Sequence, residues 1–219
     1  MNTLAEYMDY INAHREQVLG NLDQESIDAY VSISRRFETC DVSTDRNFQN
    51  DFRTFYQLNI AGLTEDFKTE YFRRLQGLRG MDPIDLRDLV LDFYFIPTRR
   101  GHNSLQFSFV TKLVHTLDAS CPIYDREIAE AFAFSPPGNH KPVRQRLGML
   151  IEFHERLKAT YGEILDQGLL NPTVQDFRTI FHEQAPFIGN VKIIDFIFWS
   201  TGKLISKGVF ADPPNRIFQ

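Results

Sequence analysis

The sequence predicts an all-α protein of about ten helices. Apolar residues recur at helical spacing along nearly the whole chain, as in Leu4, Tyr7, Met8 and Ile11, and no alternating strand pattern is present. Cap residues followed by apolar runs mark the helix starts. We therefore expect helices at about 4–19, 24–38, 45–60, 64–78, 83–95, 104–117, 125–133, 142–166, 172–183 and 191–205.

Three of these helix starts carry a specific capping signal. An N-cap side chain accepts hydrogen bonds from first-turn amides, a glutamate three residues later completes a capping box, and proline fits the first helical turn. The predicted pairs are Thr3 with Glu6, Asp82 with Pro83, and Asn171 with Pro172.

The length of 219 residues and the 42% hydrophobic content allow one compact unit over residues 1–210, or two lobes that share a cleft. Residues 211–219 are expected to form a flexible tail. The 20 phenylalanines, many of them in clusters such as 93–95 and 196–198, predict aromatic core packing, and so does Trp199. Cys40 and Cys121 are expected to be small buried residues, since two cysteines make no disulfide framework or cysteine-rich metal site.

Charge is distributed unevenly along the chain. The formal net charge is −5, but residues 98–146 hold 7 basic and 4 acidic side chains, whereas residues 1–97 hold 10 and 17. The acidic total argues against strong nucleic-acid binding over the whole surface, and the basic block marks where such binding would be concentrated. No signal peptide or membrane-spanning run is present, which predicts a cytoplasmic protein.

The basic block begins with a glycine turn between two predicted helices. Gly101 can adopt the positive φ that a reversal needs, and the second helix would begin at Asn103 or Ser104. Amides at that helix start, together with Arg99, Arg100 and His102, would form an anion site. An ordinary helix connection with solvated arginines is the alternative.

The helix after the turn carries a polar stripe made of Ser104, Ser108, Thr111, Lys112 and His115. Its opposite side is apolar. The stripe either faces solvent or lines a cleft. In a cleft, a desolvated Lys112 would lose pKa and could act as an amine nucleophile.

Asp125 follows the segment Cys-Pro-Ile-Tyr and precedes a helical apolar run. It is a good N-cap, and that role is sufficient to explain it. The functional alternative is a fixed carboxylate that acts as a general base or stabilises a cation.

Helix, glycine turn, helix and then a proline-hydrophobic-aspartate entry to the next helix resemble the helix-hairpin-helix DNA glycosylase superfamily over about residues 83–133. Longer stretches at 55–72, 97–125 and 192–204 are similar to a group of small bacterial proteins related to that superfamily. The similarity to this group implies no known activity. In the superfamily a glycine-rich hairpin binds a DNA phosphate, and the aspartate assists departure of an extruded base.

The resemblance implies a monofunctional DNA glycosylase acting on a damaged or modified base, in a duplex or a single strand. Bifunctional members carry a lysine 17 to 20 residues before the aspartate, and Lys112 precedes Asp125 by only 13. Lyase activity is therefore not expected. Nor is an iron–sulfur cofactor, or any other cofactor or metal. The implied DNA-binding residues are Arg99, Arg100, Gly101, His102, Asn103, Ser104, Lys141, Arg144 and Arg146, and the implied base pocket contains Ser108 and Tyr124.

Two other classes of function remain in view. A non-catalytic helical module could bind nucleic acid, or a protein partner through the acidic N-terminal half. A small-molecule enzyme has little support, because no phosphate-binding loop or dinucleotide motif is present. The pairs at 154–155 and 182–183 also lack the second histidine of a zinc-protease motif.

Overall fold

The protein, in a computed structural model, is described over residues 3–60, 62–81, 83–210 and 213. Over these ranges it is all-α, as predicted, with eleven α-helices and no strand. The helices are α1 Thr3–Ala13, α2 Arg15–Gly20, α3 Gln24–Thr39, α4 Arg46–Phe55, α5 Glu65–Gly77, α6 Leu86–Tyr94, α7 Phe107–Leu117, α8 Arg126–Ala131, α9 Val143–Gln167, α10 Asn171–Ile180 and α11 Asn190–Ser206, with a short 3₁₀ helix at Ala185–Phe187.

Several predicted boundaries were wrong for local reasons. The helix expected at 4–19 is split, because His14 leaves helical geometry and serves as the N-cap of α2. The helix expected at 45–60 ends at Phe55, since Gln57 has a φ of 59°. The helix expected from 104 begins only at Phe107, and the one expected from 83 begins at Leu86.

The predicted caps also need correction. Asp85, not Asp82, caps α6, and its Oδ1 accepts a hydrogen bond from the Asp88 amide at 3.0 Å. Asn171 is the first residue of α10 rather than its cap, although Pro172 lies in the first turn as expected. The position of Asp82, the Thr3 side chain and, apart from residue 213, the predicted tail at 211–219 lie outside the described residues.

Buried apolar side chains from Leu4 to Phe210 form one core cluster, and aromatic rings supply much of it. Phe134 stacks on Phe153 with ring centroids 4.1 Å apart, which agrees with the predicted aromatic core. Phe95 is an exception and is exposed. Cys40 and Cys121 are free thiols that are partly exposed, not buried as expected.

Helix α8 packs most closely on α11, the C-terminal helix of the core. Gly202 of α11 makes this possible, because a Cβ at that position would lie 2.6 Å from the carbonyl carbon of Glu127. The hydroxyl of Tyr7 in α1 donates to the carbonyl of Ala131 at the other end of α8. The short helix that begins after Asp125 is therefore held at both ends. Within the described ranges, no helix is long and apolar enough to cross a bilayer.

Candidate active site

The segment that leads to Asp125 passes through the core without regular structure, and side chains from two helices hold its first half. The Cys121 carbonyl accepts a hydrogen bond from His115 Nδ1 at 2.7 Å, and the Pro122 carbonyl accepts one from His154 Nε2 at 2.8 Å. Tyr30 completes the first contact, because its hydroxyl lies 3.1 Å from His115 Nε2. Burial lowers the pKa of His115 to about 3, so the ring is neutral and can donate with one nitrogen and accept with the other.

The second half of the segment is held in the same way. The Ile123 amide donates to the Asp195 carboxylate at 3.3 Å, and the Tyr124 amide donates to the Thr111 hydroxyl at 3.1 Å. A buried backbone amide without a partner is destabilising, so these side chains are needed wherever a non-helical segment crosses a core. Their effect is to fix the position of Asp125.

Asp125 is the N-cap of α8, as predicted. Its Oδ1 accepts a hydrogen bond from the Ile128 amide at 2.9 Å. Its Oδ2 makes no hydrogen bond to the described residues, and the side chain lines a cleft. One carboxylate oxygen is thus used for the cap, and the other has no protein partner in the described ranges, in a side chain that lines the cleft. The cap role and the functional role are compatible in this geometry.

The cleft has a volume of about 730 Å³ and is bounded by α3, α4, α7, α8 and α11. Aromatic side chains form much of its wall: Phe55, Tyr56, Phe109, Phe196 and Trp199. Trp199 packs against the core as predicted, but it is only partly buried and also lines the cleft, with Lys203 Nζ 4.5 Å from its ring centre. Gln57, with its unusual positive φ, also lines the cleft. Such backbone strain is concentrated at functional sites in proteins.

Eight charged side chains of the described residues line the cleft. Among them are Lys112 and Asp125, which the sequence suggested, and Lys192 and Asp195, which it did not. Burial lowers the pKa of Lys112; the charge of Asp125 opposes this shift and that of Lys192 adds to it. Burial raises the pKa of Asp125, with the charge of Lys112 acting in the opposite direction. These shifts mark a desolvated site in which the charges of α7, α8 and α11 act on one another.

Lys192 and Asp195 form a buried pair on α11. Lys192 Nζ lies 3.8 Å from Asp195 Oδ2, beyond hydrogen-bonding distance, while Asp195 Oδ1 accepts a hydrogen bond from the Tyr161 hydroxyl at 3.0 Å. Burial lowers the pKa of Lys192 and raises that of Asp195 to about 7, although the charge of Lys192 opposes the second shift. The sequence signal is a lysine and an aspartate three residues apart in a largely apolar helix, and neither residue was predicted as part of a site.

The polar stripe predicted on α7 divides between two roles. Ser108 and Lys112 line the cleft, whereas Thr111 and His115 are buried and hold the segment before Asp125. Ser104 precedes the helix instead of belonging to it. Tyr124, predicted for the base pocket, is buried against Phe107 and Phe153 and does not line the cleft.

The glycine turn differs from the predicted phosphate site. Gly101 has the expected positive φ of 75°, but its amide donates to the Thr98 carbonyl at 2.8 Å. The Arg99 amide donates to the Gly62 carbonyl at 3.0 Å. Both amides are therefore used within the protein, and the first turn of α7 begins several residues later. The bond to Gly62 places the turn against the loop after α4, whose residues Gln57 and Ile60 line the cleft.

The other predicted DNA contacts lie outside the cleft wall. Arg99, Arg100, His102, Asn103 and Arg144 are exposed, and Lys141 and Arg146 are partly buried. One guanidinium nitrogen of Arg146, in the first turn of α9, donates to Asn139 Oδ1 in the preceding loop at 2.7 Å. The structure brings the two predicted catalytic residues into one cleft but does not bring these cations into it.

No group of three or more histidine, cysteine, aspartate or glutamate side chains suited to a metal ion is present in the described ranges. In comparisons with protein-family models, with curated proteins and with solved structures, nothing matches this chain. The residues of the cleft are thus the basis for a functional interpretation.

Proposed function

We propose that this protein hydrolyses the N-glycosidic bond of a nucleotide whose base is extruded from DNA into the cleft. One observation carries the proposal: Asp125, held as the N-cap of α8, and Lys112 of α7 line the same aromatic-walled cleft. A base removed from its stack can pack against aromatic rings. The resemblance to helix-hairpin-helix DNA glycosylases points to the same residue, Asp125.

In this reaction the bond between C1′ and the base nitrogen breaks, and a positive charge develops on the sugar. The unpartnered Oδ2 of Asp125 would stabilise that cation and accept a proton from the attacking water. A carboxylate whose pKa is raised by burial is a better base than one in water. No lysine adduct is needed, so the reaction is that of a monofunctional enzyme.

DNA would approach the cleft over the loop after α4 and the glycine turn beside it. Arg99 and Arg100 are exposed on that turn and are available for phosphate contacts through their side chains. Binding through such contacts weakens steeply as salt concentration rises. We therefore expect the affinity for an oligonucleotide to be salt-dependent and to fall in an Arg99→Ala, Arg100→Ala variant.

A second function is a non-catalytic module that binds nucleic acid or a protein. It is favoured by the internal hydrogen bonds of the Arg99 and Gly101 amides, which leave fewer donors for a phosphate than the family pattern implies. In that case Asp125 is only a helix cap.

The test is to incubate the protein with duplex and single-stranded oligonucleotides that carry damaged, mispaired or modified bases, and to reveal abasic sites with alkali. Asp125→Asn keeps an N-cap residue but removes the charge, so the fold is retained. Asp85→Asn makes the same change at the cap of α6, which does not line the cleft, and is the control.

Alkali-dependent cleavage that is lost in Asp125→Asn and kept in Asp85→Asn would support a glycosylase. The loss is expected to be at least about 100-fold, since one group that stabilises transition-state charge contributes about that much. Binding without cleavage, unchanged by Asp125→Asn, would favour the module. Absence of binding to every oligonucleotide would exclude both DNA-directed functions.

A further inference from the structure

Lys192 is a buried charge whose hydrogen-bonding capacity is not used within the protein. Its side chain is almost wholly buried, yet its ammonium group makes no hydrogen bond to the described residues. The nearest carboxylate oxygen, Asp195 Oδ2, is 3.8 Å away, and both oxygens of that carboxylate accept hydrogen bonds from other donors. The Nζ atom is not one of the fully buried polar atoms without a partner, and Lys192 lines the cleft, so acceptors for its donors come from the cleft, where a ligand can supply them.

Lys112, which is partly buried, also lines the cleft. It makes neither a hydrogen bond nor an ion pair within the described ranges, and its nearest ring neighbours are Phe109 at 5.2 Å and Tyr56 at 5.7 Å. Phe196 lies 4.5 Å from Lys192 Nζ in a similar way. The aromatic faces attract the cations but accept no conventional hydrogen bond. Two ammonium groups therefore present unfilled donors to one cleft, and their charges repel each other.

We propose that Lys112 and Lys192 together bind the carbonyl oxygens of the extruded base, so that the substrate is a neutral, carbonyl-bearing base that leaves as an anion. This inference rests on the proposed glycosylase function and names its substrate class. A base with a positive charge would be repelled by both lysines. A base without carbonyl oxygens would leave their donors unpaired, which is a strong basis for discrimination.

The chemistry accounts for two lysines in the cleft. When the C1′–N bond breaks, both bonding electrons leave with the base, and conjugation places the negative charge on its carbonyl oxygens. The lysines stabilise that charge, and the ammonium of Lys112 then protonates the departed base. Water forms the new bond to C1′ and transfers its proton to Asp125, from which the proton can return to Lys112.

The experiment compares single-turnover excision of three bases from otherwise identical duplexes. Uracil is neutral with two carbonyl groups, 1,N6-ethenoadenine is neutral without one, and 7-methylguanine is positively charged. We expect uracil to be excised at least about 100-fold faster than ethenoadenine, because the latter leaves desolvated donors unpaired. We expect Lys192→Met to reduce uracil excision by at least about 100-fold, as for loss of a donor to a developing anion.

Control variants separate this role from a structural one. Lys207→Met removes an exposed lysine at the end of α11 and should leave all rates unchanged. If Lys192→Met does not fold, Lys112→Gln is the second variant, because Lys112 has no ion pair in the described structure to lose. Circular dichroism and a thermal melt establish folding before the rates are compared.

The inference and the proposed function can fail separately. Asp125-dependent excision of ethenoadenine or 7-methylguanine as fast as that of uracil would keep the glycosylase and overturn the substrate class. Equal rates of uracil excision in the wild type and in Lys192→Met would likewise overturn the substrate class and keep the glycosylase. If no base is excised, binding of free uracil decides: saturable binding that is lost in Lys192→Met and is not displaced by inorganic phosphate supports the carbonyl site. No binding, or displacement by phosphate, overturns it.

Discussion

Gly202 is the position at which the addition of one methyl group should do most damage to this fold. It lies where α11 meets α8, and a Cβ there would be 2.6 Å from the Glu127 carbonyl carbon and 3.1 Å from its Cα. Carbon atoms normally approach to about 3.5 Å, so α8 would have to move by about 1 Å. The closest contact is with backbone and not with a flexible side chain, which leaves no rotamer change to relieve it.

We expect Gly202→Ala to lower the free energy of unfolding by about 2–3 kcal/mol, which is typical of overpacking a close helix contact. Helix propensity acts in the opposite direction by about 1 kcal/mol and is already included in that figure. Gly162→Ala is the matched control, because Gly162 also lies inside a long helix and a Cβ there meets nothing within 4 Å. That substitution should raise the free energy of unfolding by about 0.5–1 kcal/mol.

Urea unfolding followed by far-UV circular dichroism measures both variants, with equal m-values as the condition for comparing them. The same glycine-to-alanine change should thus have opposite signs at the two positions. A Gly202→Ala protein as stable as the wild type would show that α8 and α11 are not packed through this glycine. It would also remove one of the reasons for treating α8, and with it Asp125, as fixed.

Two further predictions concern the side chains that hold the segment before Asp125. Because folding raises the pKa of Asp195 from near 4 to about 7, the native carboxyl group binds its proton more tightly, and the contribution of Asp195 to stability should fall as pH rises between about 4 and 7 and then level off. The buried neutral His115, whose pKa is lowered to about 3, contributes in the opposite direction, so the difference between the wild type and Asp195→Asn isolates the Asp195 contribution. Asp195→Asn should abolish this pH-dependent contribution. Between about pH 4 and 7 the free energy of unfolding of the variant should therefore rise relative to that of the wild type by up to about 4 kcal/mol, as measured by urea titrations at several pH values. If the two proteins show the same pH dependence, the assignment is contradicted. Thr111→Val should lower the free energy of unfolding by about 1–3 kcal/mol, because the buried Tyr124 amide loses its acceptor. The control is Thr179→Val at an exposed position, which should change the free energy of unfolding by under about 0.5 kcal/mol. Equal losses in the two threonine variants would show that the Tyr124 amide is not the cause.

The helices could be predicted from sequence because their signals are local. Apolar spacing set most of the helix positions, and Asp125 was predicted as an N-cap from the residues that follow it. Errors arose where two local signals competed. Asp82 with Pro83 predicted a start for α6 that is too early, because Asp85 accepts the bond from the first-turn amide of Asp88. The predicted helix after the glycine turn likewise began too early, since α7 begins only at Phe107.

The cleft could not be predicted in full, because it depends on which helices pack together. Lys112 and Asp125 belong to one stretch of sequence and could be suggested as a pair. Lys192 and Asp195 come from α11, and nothing in the periodicity of that helix shows that it faces the cleft. A lysine and an aspartate inside an apolar helix are unusual, and that signal deserved a functional interpretation beside the structural one.

The segment at 121–124 links the core to the site. A helix cap alone would not require it, since an N-cap aspartate functions equally well on an exposed loop, where water satisfies the backbone. Here the segment passes through the core. Four buried side chains satisfy its carbonyl and amide groups: Thr111, His115, His154 and Asp195. Replacing such polar groups by apolar ones would be the simpler way to stabilise a core. Their presence is explained if the position of Asp125 relative to the lysines of the cleft matters, because side chains from three helices then fix one carboxylate against two cations.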